Sequence, residues 1–278
     1  MISPKEAYAT TRLIEEARAA GVAITAMDVH ELAAAGYKVD VAAFDALYIR
    51  QAYLETSKKI DAAALQWVQD LARQFAGAGK VVVDSALAQN GLGGGKLEVY
   101  RALEAAGVLV PQTEPLSNPN KEKIKFPVVA KWNFGFGAQH VYYIDSPERL
   151  AEVASRYPAA ELLIQDFVAA PFEYKYVVVG YKALPVAVRY VIDPQKHVPD
   201  LKDFKTMDTA ALSELTTMME RAAKVTAREL CKIDVLQDAS GRFHVLEVNR
   251  WPGLRPFEEA SGFNVAREFV GYIRGKVL

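Results

Sequence analysis

The 278-residue chain is poor in features that define several classes of protein. Cys231 is its one cysteine, so an intrachain disulfide framework is excluded. No uninterrupted apolar run approaches the roughly 20 residues that a membrane-spanning helix needs. The first residues lack the cationic, apolar and small-residue pattern of a signal peptide. These absences predict a protein of the reducing cytoplasm.

Strong charge of either sign is also missing. Because 33 Lys and Arg oppose 34 Asp and Glu, the formal net charge is −1, and neither nucleic acid nor an anionic membrane is expected as a partner. The four histidines form no metal-binding cluster in the sequence. Hydrophobic residues make up 51% of the chain, which predicts a sizeable core in one large domain or a few smaller subdomains.

The N-terminal part of the chain alternates helical and strand patterns. Ser3-Pro4-Lys5-Glu6 has residues favoured in the first turn of a helix, and Gly21 is typical of a helix end. A second helix is predicted from Ala62 to Phe75. Strands are predicted over residues 22–30, 46–51 and 80–85. Alternating strands and helices indicate an α/β unit with a mostly parallel sheet.

The rest of the chain has a different pattern. The glycine-rich segment Asn90–Lys96 (NGLGGGK) predicts a flexible joint between domains. Helices are predicted from Lys96 to Gly107 and from Thr209 to Leu230. Strands are predicted over residues 126–132, 140–145, 161–168, 174–180, 184–192, 231–237 and 242–249. Short connections between most of these strands favour antiparallel hairpins.

The last two predicted strands carry an unusual set of polar residues in the stretch VLEVNRWPGL and just before it. In a hairpin centred on Ser240-Gly241, Asp234 lies opposite Glu247, and strand alternation adds Asn249 and Val245 to the same face. Two adjacent carboxylates repel unless a cation compensates them, and these oxygen ligands suit magnesium. A hairpin with one solvated face is the alternative. A one-residue bulge would separate the carboxylates and exclude the metal site.

A second glycine-rich segment, KWNFGFGAQH, lies between two predicted strands. Gly135 and Gly137 would let backbone amides approach an anion, and Lys131 would pair with phosphate oxygens. No Gly-Lys-Ser/Thr sequence closes the segment, so it is not a Walker loop. An ordinary glycine-rich hairpin turn is the alternative interpretation.

The order of these motifs resembles the ATP-grasp superfamily. A lysine opens a helix, a lysine ends a strand before a glycine loop, IQDFV and an acidic hairpin residue follow, and Asp precedes Glu-x-Asn-x-x-Pro-Gly. Within the superfamily, the chain is most similar to the branch of the ribosomal-protein glutamate ligase and related α-glutamate ligases. The resemblance extends from Ala46 to Ile273 and is strongest over residues 231–266.

The resemblance implies an α/β (α+β) ATP-grasp fold that holds ATP between two lobes containing antiparallel sheets. A short α/β N-terminal domain over residues 1–92 would precede a central lid subdomain, 93–165, and a C-terminal subdomain with the metal site, 166–278. In the family, a strand precedes the first helix. Here only Met1-Ile2 precede Ser3, so the N-terminal sheet is expected to lack its usual first strand.

The resemblance also implies roles at matching positions. Lys175 and Arg189 would face the phosphoryl group or the carboxylate substrate as catalytic residues, and Arg50 matches an arginine of the N-terminal domain. Metal ligands would be Asp234, Glu247 and Asn249. Nucleotide-binding residues would be Lys96, Lys131, Gly135, Gly137, Gln165, Asp166, Phe167, Val168 and Glu173. Among these, Gly135 and Gly137 belong to the mobile phosphate-covering loop, residues 165–168 receive adenine, and Glu173 binds the ribose hydroxyls.

The activity implied is an ATP- and magnesium-dependent carboxylate–amine ligase that works through an acyl phosphate, with manganese as an alternative metal. Its substrates would be small-molecule or peptide carboxylates and amines, the acceptor being an amino acid, a peptide or a protein tail. A homo-oligomer is implied as well. The alternatives are another ATP-grasp chemistry, such as carboxylate–thiol ligation or kinase activity, and a catalytically silent nucleotide-binding protein.

Two departures from the family pattern bear on the substrate. An Arg-Ser-Asn segment is missing after the Arg189 strand, where Lys202 or Lys205 would have to substitute for the asparagine. Arg250 and Trp251 replace small residues before Pro252. We expect these two side chains at the mouth of the acceptor site, where they narrow it or recognise an anionic or aromatic group.

Overall fold

The structure, a computed structural model, describes residues 1–50, 62–90, 95–118, 124–135, 140–250 and 252–278. The helices of these residues are α1 (Tyr8–Ala19), α2 (Val29–Ala34), α3 (Ala62–Gly77), α4 (Ala86–Asn90), α5 (Lys96–Ala105), α6 (Pro147–Ala154), α7 (Ser213–Val225), α8 (Leu254–Ser261) and α9 (Val265–Val277). The strands are β1 (Ala46–Tyr48), β2 (Val81–Val83), β3 (Thr113–Pro115), β4 (Val128–Trp132), β5 (Val141–Ile144), β6 (Leu162–Asp166), β7 (Phe172–Val179), β8 (Lys182–Ala183), β9 (Val186–Asp193), β10 (Val198–Asp208), β11 (Leu230–Gln237) and β12 (Phe243–Asn249). None of the helices in this part of the chain combines the length and the apolar character needed to cross a membrane.

The N-terminal unit contains a parallel pair of strands, β1 and β2, in which Ala46 lies beside Val81. Ile2 adds single-residue parallel bridges to Met27 and Ile49. The side chain of Ile2 is buried in the core that joins this small sheet to α3. Ile2 thus contributes one bridged residue at the place where the sequence predicted a missing strand.

Two local predictions for the N-terminal unit were wrong. Residues 22–30 do not form a strand, because the Asp28 side chain accepts a hydrogen bond from the His30 N–H at 2.8 Å and caps α2 there. Helix α1 begins at Tyr8 instead of at Ser3. Ser3 is fully buried, and its hydroxyl lies 2.7 Å from that of a threonine within α1, so it is not at a helix cap.

A four-stranded antiparallel sheet follows in the chain, with the strand order β3-β6-β4-β5. Helix α6 covers one face through a core that includes Val128 and Ala130. Because side chains alternate along a strand, Lys131 and Gln165 point from β4 and β6 to the other face. That face is turned toward the largest sheet.

The largest sheet has six strands in the order β10-β9-β7-β11-β12, with β8 paired to β7. One face packs against α5 and α7, and the other packs against α1, α8 and α9. Val177 of β7 and Leu230 of β11 belong to the second core. Strand alternation places Lys175 and Asp234 on this same face, beyond the edge of its apolar contacts.

The antiparallel strands predicted for the C-terminal part are confirmed. Strand β10 was not predicted, because its eleven residues are mostly exposed and mix charged with apolar side chains. Helix α7 ends at Val225, before the predicted Leu230, because Ala227 adopts a left-handed conformation with φ of 50°. The predicted joint at residues 91–94 lies outside the described residues. The predicted boundary after residue 165 falls within β6, and the three subdomain ranges stay a prediction.

Candidate active site

A cavity of about 760 Å³ lies between the four-stranded and six-stranded sheets. Val129 of β4 contributes to one wall, and Leu236 of β11 and Leu246 of β12 contribute to the opposite wall. Six residues predicted to bind nucleotide line this cavity: Lys131, Gln165, Asp166, Phe167, Val168 and Glu173. These six residues therefore share one cavity, and their role in binding nucleotide stays a prediction.

The carboxylates of Asp234 and Glu247 face each other across β11 and β12, as predicted, but the hairpin reaches this register in an unexpected way. Near the turn, Val235 lies opposite Val245, one residue away from the predicted pairing. A bulge at Leu246 then restores it, so that Asp234 lies opposite Glu247. The prediction that Val245 shares the carboxylate face was wrong, because the bulge turns Val245 into the core.

Tyr100 of α5 holds this bulge, and sequence analysis missed it. Its hydroxyl donates a hydrogen bond to the carbonyl oxygen of Leu246 at 2.8 Å, which satisfies a backbone group that the bulge leaves free. Lys131 Nζ lies 3.5 Å from the same hydroxyl. Burial raises the pKa of Tyr100 to about 12. Tyrosine in an apolar helical stripe gave no functional signal, since core packing explains it equally well.

Asn249 lies beside the two carboxylates and completes the predicted set. Its Nδ2 is 3.2 Å from Asp234 Oδ2 and 3.0 Å from Glu247 Oε2. Two carboxylates and a carboxamide are hard oxygen donors of the kind that Mg²⁺ prefers. No three His, Cys, Asp or Glu side chains converge as a metal site among the described residues, so the third oxygen donor here is the Asn249 carboxamide. The side chains present therefore fit a magnesium ion bound at Asp234, Glu247 and Asn249.

Lysine ammonium groups surround these carboxylates. Lys96 pairs with Glu247, and Lys175 Nζ lies 3.3 Å from Asp234 Oδ1. Lys232, which sequence analysis had not assigned to the site, lies 3.2 Å from Asp234 Oδ2. Its position two residues before Asp234 on the same strand was the available signal. The ammonium groups of these lysines pair with the carboxylates, and their positive charge would also favour the binding of phosphate groups.

Burial and charge act in opposite directions on the acidic groups. Burial raises the pKa of Asp234 and Glu247, but the neighbouring lysines outweigh it and hold both pKa values below their usual range. Both side chains are therefore ionised near neutral pH and able to bind a cation. Burial raises the pKa of Glu173 above its usual range, although Lys175 opposes this.

Burial also penalises the basic groups. It lowers the pKa of Lys131, whose side chain reaches into the cavity from β4. Partial burial also acts to lower the pKa of Lys175, but Asp234 and Glu173 together raise this pKa above the ordinary lysine value. Lys175 forms ion pairs with both Glu173 and Asp234. Lys131, by contrast, has no carboxylate within ion-pair distance among the described residues.

Asn133 links the two predicted phosphate-binding lysines. Its side-chain oxygen accepts a hydrogen bond from the Leu97 N–H at 3.0 Å, and its carbonyl accepts one from the Lys96 N–H at the same distance. Asn133 therefore caps α5 from the position immediately after β4, two residues beyond Lys131. A Cβ atom at Gly95 would lie 2.3 Å from the Asn133 amide, so the close approach requires glycine.

Gly135 lies in a tight turn, where its N–H donates to the Trp132 carbonyl at 2.9 Å. A Cβ atom at Gly135 would lie 3.1 Å from that carbonyl oxygen, which favours glycine for the turn itself. Gly137 and its neighbours at 136–139 lie outside the described residues, as does Trp251. The phosphate-covering role of the two glycines stays a prediction.

Arg189 does not face the site, so its prediction as a catalytic residue was wrong. In the β7–β9 ladder it lies opposite Tyr174, whereas Tyr190 lies opposite Glu173. Paired residues share a face, so Arg189 is on the reverse side of the sheet, with its guanidinium 4.3 Å from the Phe172 ring centroid. Tyr190 takes the site-facing position, and its ring lies 5.7 Å from Lys175 Nζ.

Arg250 was expected at the mouth of the acceptor site, and this too was wrong. The side chain is buried, and its guanidinium pairs with the buried carboxylate of Asp84. The same Nη1 lies 3.4 Å from the carbonyl oxygen of Ala227. Arg50 is also buried, near the end of β1, and is not among the residues that line the cavity between the sheets.

Three aromatic rings pack together where Phe167 follows β6, and two of them, Phe167 and His197, line the cavity. The Phe167 ring lies 5.2 Å from Tyr143 of β5 and 5.1 Å from His197 of the β9–β10 connection. Tyr143 and His197 stack with ring centroids 4.4 Å apart. His197 lines the cavity and was not predicted to do so, because its loop departs from the family pattern.

Comparisons with known proteins agree with this architecture. A probable alpha-L-glutamate ligase of Psychromonas ingrahamii is 27% identical over 286 residues, which cover 94% of this chain and 89% of that protein. Another probable alpha-L-glutamate ligase, of Mannheimia succiniciproducens, is 24% identical over 186 residues, which cover 64% of this chain. That match spans 62% of the relative, which is less than two thirds of its length. The structure of the ATP-grasp ligase PsnB with a phosphomimetic variant of minimal precursor, Mg and ADP has a TM-score of 0.75 at 16% identity, covering 100% of this chain and 97% of that one.

These likenesses confirm the predicted fold class, since the whole chain superposes on the structure of an ATP-grasp ligase. The family model described as a RimK-like ATP-grasp domain matches residues 86–273, the part that contains both sheets and the Asp234–Asn249 region. Because this match includes more than half of the chain, the protein belongs to the RimK-like ATP-grasp family.

Proposed function

We propose that this chain is an ATP- and magnesium-dependent ligase that joins a carboxylate to an amine. The observation that carries the proposal is the convergence of Asp234, Glu247 and Asn249 with Lys96 beside a cavity between two sheets. The cavity volume of about 760 Å³ is typical of sites for ligands of nucleotide size. Family membership supports the same reading.

In this proposal the cavity receives ATP with its base near Phe167 and Val168, whose side chains supply an apolar wall. Glu173, buried on the opposite wall, accepts hydrogen bonds from the ribose hydroxyls. Lys96 and Lys131 bind the phosphates. The penalty that burial imposes on the Lys131 ammonium would be relieved by a phosphate next to it, so this lysine gains most from the bound nucleotide.

Asp234, Glu247 and Asn249 would hold the magnesium ion. When bound there, the metal neutralises charge on the phosphates and polarises the transferring phosphoryl group. The chain's own contribution is to keep both carboxylates ionised, and the lysines around them lower their pKa values. Lys175 sits between Glu173 and Asp234 and supplies a fixed positive charge to the reacting region.

The chemistry needs no nucleophile from the protein. An oxygen of the substrate carboxylate attacks the γ-phosphorus of ATP, ADP leaves, and an acyl phosphate forms. The amine then attacks the acyl carbon, phosphate leaves, the amine gives up a proton, and an amide results. The two sheets keep water from the acyl phosphate. Cys231, the one cysteine, is fully buried in the core, which agrees with such a scheme.

The acceptor in this proposal is an amino acid, a peptide or a protein tail. The names of the glutamate-ligase relatives support an amino acid donor or acceptor, and the precursor bound to PsnB supports a peptide. A homo-oligomer in the cytoplasm and subdomains at 1–92, 93–165 and 166–278 complete the proposal.

The test is release of ADP and phosphate with magnesium across pooled amino acids, short peptides and small carboxylates. The inactive control is Glu247→Ala. The matched control is Glu152→Ala, which removes an equally ion-paired carboxylate from the surface of α6, far from the cavity. Turnover that needs one donor–acceptor pair, yields an amide by mass spectrometry and disappears only in Glu247→Ala would support the proposal. Tight ATP binding with no turnover in any pool would overturn it in favour of a silent nucleotide-binding protein.

A further inference from the structure

Asp84, the residue after β2, lies buried against the hairpin that carries the proposed metal ligands. Its Oδ1 accepts hydrogen bonds from the backbone N–H groups of Glu229 and Leu230, at 2.6 Å and 3.3 Å, where β11 begins. Its Oδ2 pairs with the guanidinium of Arg250, immediately after β12 ends at Asn249. One carboxylate from the N-terminal unit therefore joins the beginning of β11 to the end of β12.

This contact closes the open end of the β11–β12 hairpin. The opposite end is closed covalently by the turn, where Asp238 Oδ1 accepts hydrogen bonds from the Ser240 and Arg242 N–H groups. At the open end, Asn249 is the last residue of the ladder and is paired with Lys232. The ladder ends at Asn249, and the next described contact along the chain is the ion pair of Arg250 with Asp84.

Stability alone is a poor reason for this arrangement. Both partners are buried, with Asp84 3% and Arg250 9% exposed, and a buried ion pair often contributes no more stability than an apolar pair of the same size. A hydrogen-bonded salt bridge is directional, whereas an apolar contact is not. The salt bridge therefore fixes the relative positions of the two groups that it joins. The neighbouring buried carboxylate, Glu229, makes its contacts elsewhere, with the Ser85 N–H, Tyr272 and Lys276.

We propose that Asp84 and Arg250 are a positioning pair for metal–nucleotide binding. The pair holds Asn249 in place and, with it, the open end of the β11–β12 hairpin. The proposal rests on the proposed function of Asp234, Glu247 and Asn249. Neither residue lines the cavity between the sheets. Their effect passes through one peptide unit, from Arg250 to Asn249, and through the first residues of β11 to Asp234.

The experiment is titration of the full chain with Mn²⁺ in the presence of ADP, followed by the loss of free Mn²⁺ signal in electron paramagnetic resonance. Asp84→Asn keeps an oxygen for the Glu229 and Leu230 N–H groups but removes the charge. Arg250→Met keeps the length of the side chain. We expect each to weaken Mn²⁺ binding about tenfold, as loss of a positioning partner around a metal site typically does. The double variant should be no weaker than either single variant, because both remove one interaction.

Glu229→Gln is the matched control. It disturbs the same interface and its contact with Lys276, yet leaves the Asp84–Arg250 pair intact. We expect it to lower the melting temperature without changing Mn²⁺ affinity. Equal Mn²⁺ affinity in wild type, Asp84→Asn and Arg250→Met would overturn the positioning role, as would an equal loss in Glu229→Gln. If Arg250→Met does not fold, Asp84→Asn and Arg250→Lys decide the matter. Wild-type protein that binds no Mn²⁺ with ADP would instead refute the proposed function.

Discussion

Asp234 faces Glu247 because the β-bulge at Leu246 corrects a register that the turn alone would have set one residue away. Without the bulge, Asp234 would lie opposite Leu246, and Glu247 would lie opposite Ile233 and point into the core. Tyr100 holds the bulge through the Leu246 carbonyl. The carboxylate pair therefore depends on a helix elsewhere in the chain as well as on its own hairpin.

Tyr100→Phe should destabilise the protein by about 0.5–1.5 kcal/mol, because it removes the part-buried hydrogen bond that the Leu246 carbonyl accepts. Denaturant unfolding measures the loss. Tyr142→Phe is the control, since it removes a hydroxyl contact with Tyr157 that is part-buried and away from the bulge. An unchanged free energy of unfolding in Tyr100→Phe would show that the bulge does not need this hydrogen bond.

Glu247→Gln should abolish most activity while keeping the shape of the side chain. The amide cannot supply the negative charge that binds the metal and pairs with Lys96, so we expect ADP release to fall about 100-fold. Mn²⁺ binding should weaken in parallel. The comparison is Glu152→Gln, whose partners are Arg149 within α6 and Arg156 just after it, both at the surface. Normal turnover in Glu247→Gln would contradict the proposed ligand set.

Replacing Lys175 by Met and replacing Arg189 by Met should have very different effects on kcat. Lys175 contacts Asp234 and Glu173, so its loss should lower kcat about 100-fold. Arg189 lies on the other face against Phe172, so its loss should leave kcat near wild type and cost about 0.5–1 kcal/mol of stability. Steady-state ADP release and thermal unfolding measure the two effects. Comparable losses of kcat in both variants would contradict the observed sheet register.

Nucleotide affinity should fall with rising pH because burial lowers the pKa of Lys131 below the ordinary 10.5. Between the lowered value and 10.5, the unfolded chain binds a proton that the empty folded chain does not, so stability of the empty protein rises with pH there. Phosphate attracts the protonated form, so ADP affinity has the opposite slope. Calorimetry across this range measures the slope.

Lys131→Arg provides the control for this pH dependence, since the guanidinium stays charged throughout the range. Its ADP affinity should change less with pH than that of the wild type. The same slope in both proteins would mean that another group titrates. The contribution of Lys131 to the pH dependence of stability is measured separately. It is the difference between wild type and Lys131→Met in how the free energy of unfolding changes with pH.

Cys231 should not react with a thiol reagent in the native protein. The side chain is fully buried, and burial raises the pKa of its thiol, so both access and thiolate are lacking. Because it is the one cysteine, absorbance of the released reagent reports on it without ambiguity. Reaction should begin at the denaturant concentration where the fold is lost. Rapid labelling of native protein would contradict the packing of β11.

Some of the site was predictable because it depends on residues close together in the chain. Strand alternation and turn residues placed Asp234 and Glu247 opposite each other. The order of the motifs assigned Lys131 and residues 165–168 to one site, and these residues line one cavity. Lys232 was within reach of the same argument. Tyr190 was not, because a shift of one residue exchanges the faces of a strand, and Arg189 occupied the neighbouring position.

The sequence by itself indicated the family through the order of its motifs. Strand periodicity and turn residues indicated the antiparallel strands of the C-terminal part and the pairing of Asp234 with Glu247. Tertiary structure decided which face Arg189 takes, that exposed β10 joins the sheet, and that Arg250 turns inward. The Arg250 partner, Asp84, is 166 positions away, and no local pattern specifies such a contact. Burial makes the pairing necessary, because a guanidinium removed from water needs a partner, and only the assembled fold determines which carboxylate is near.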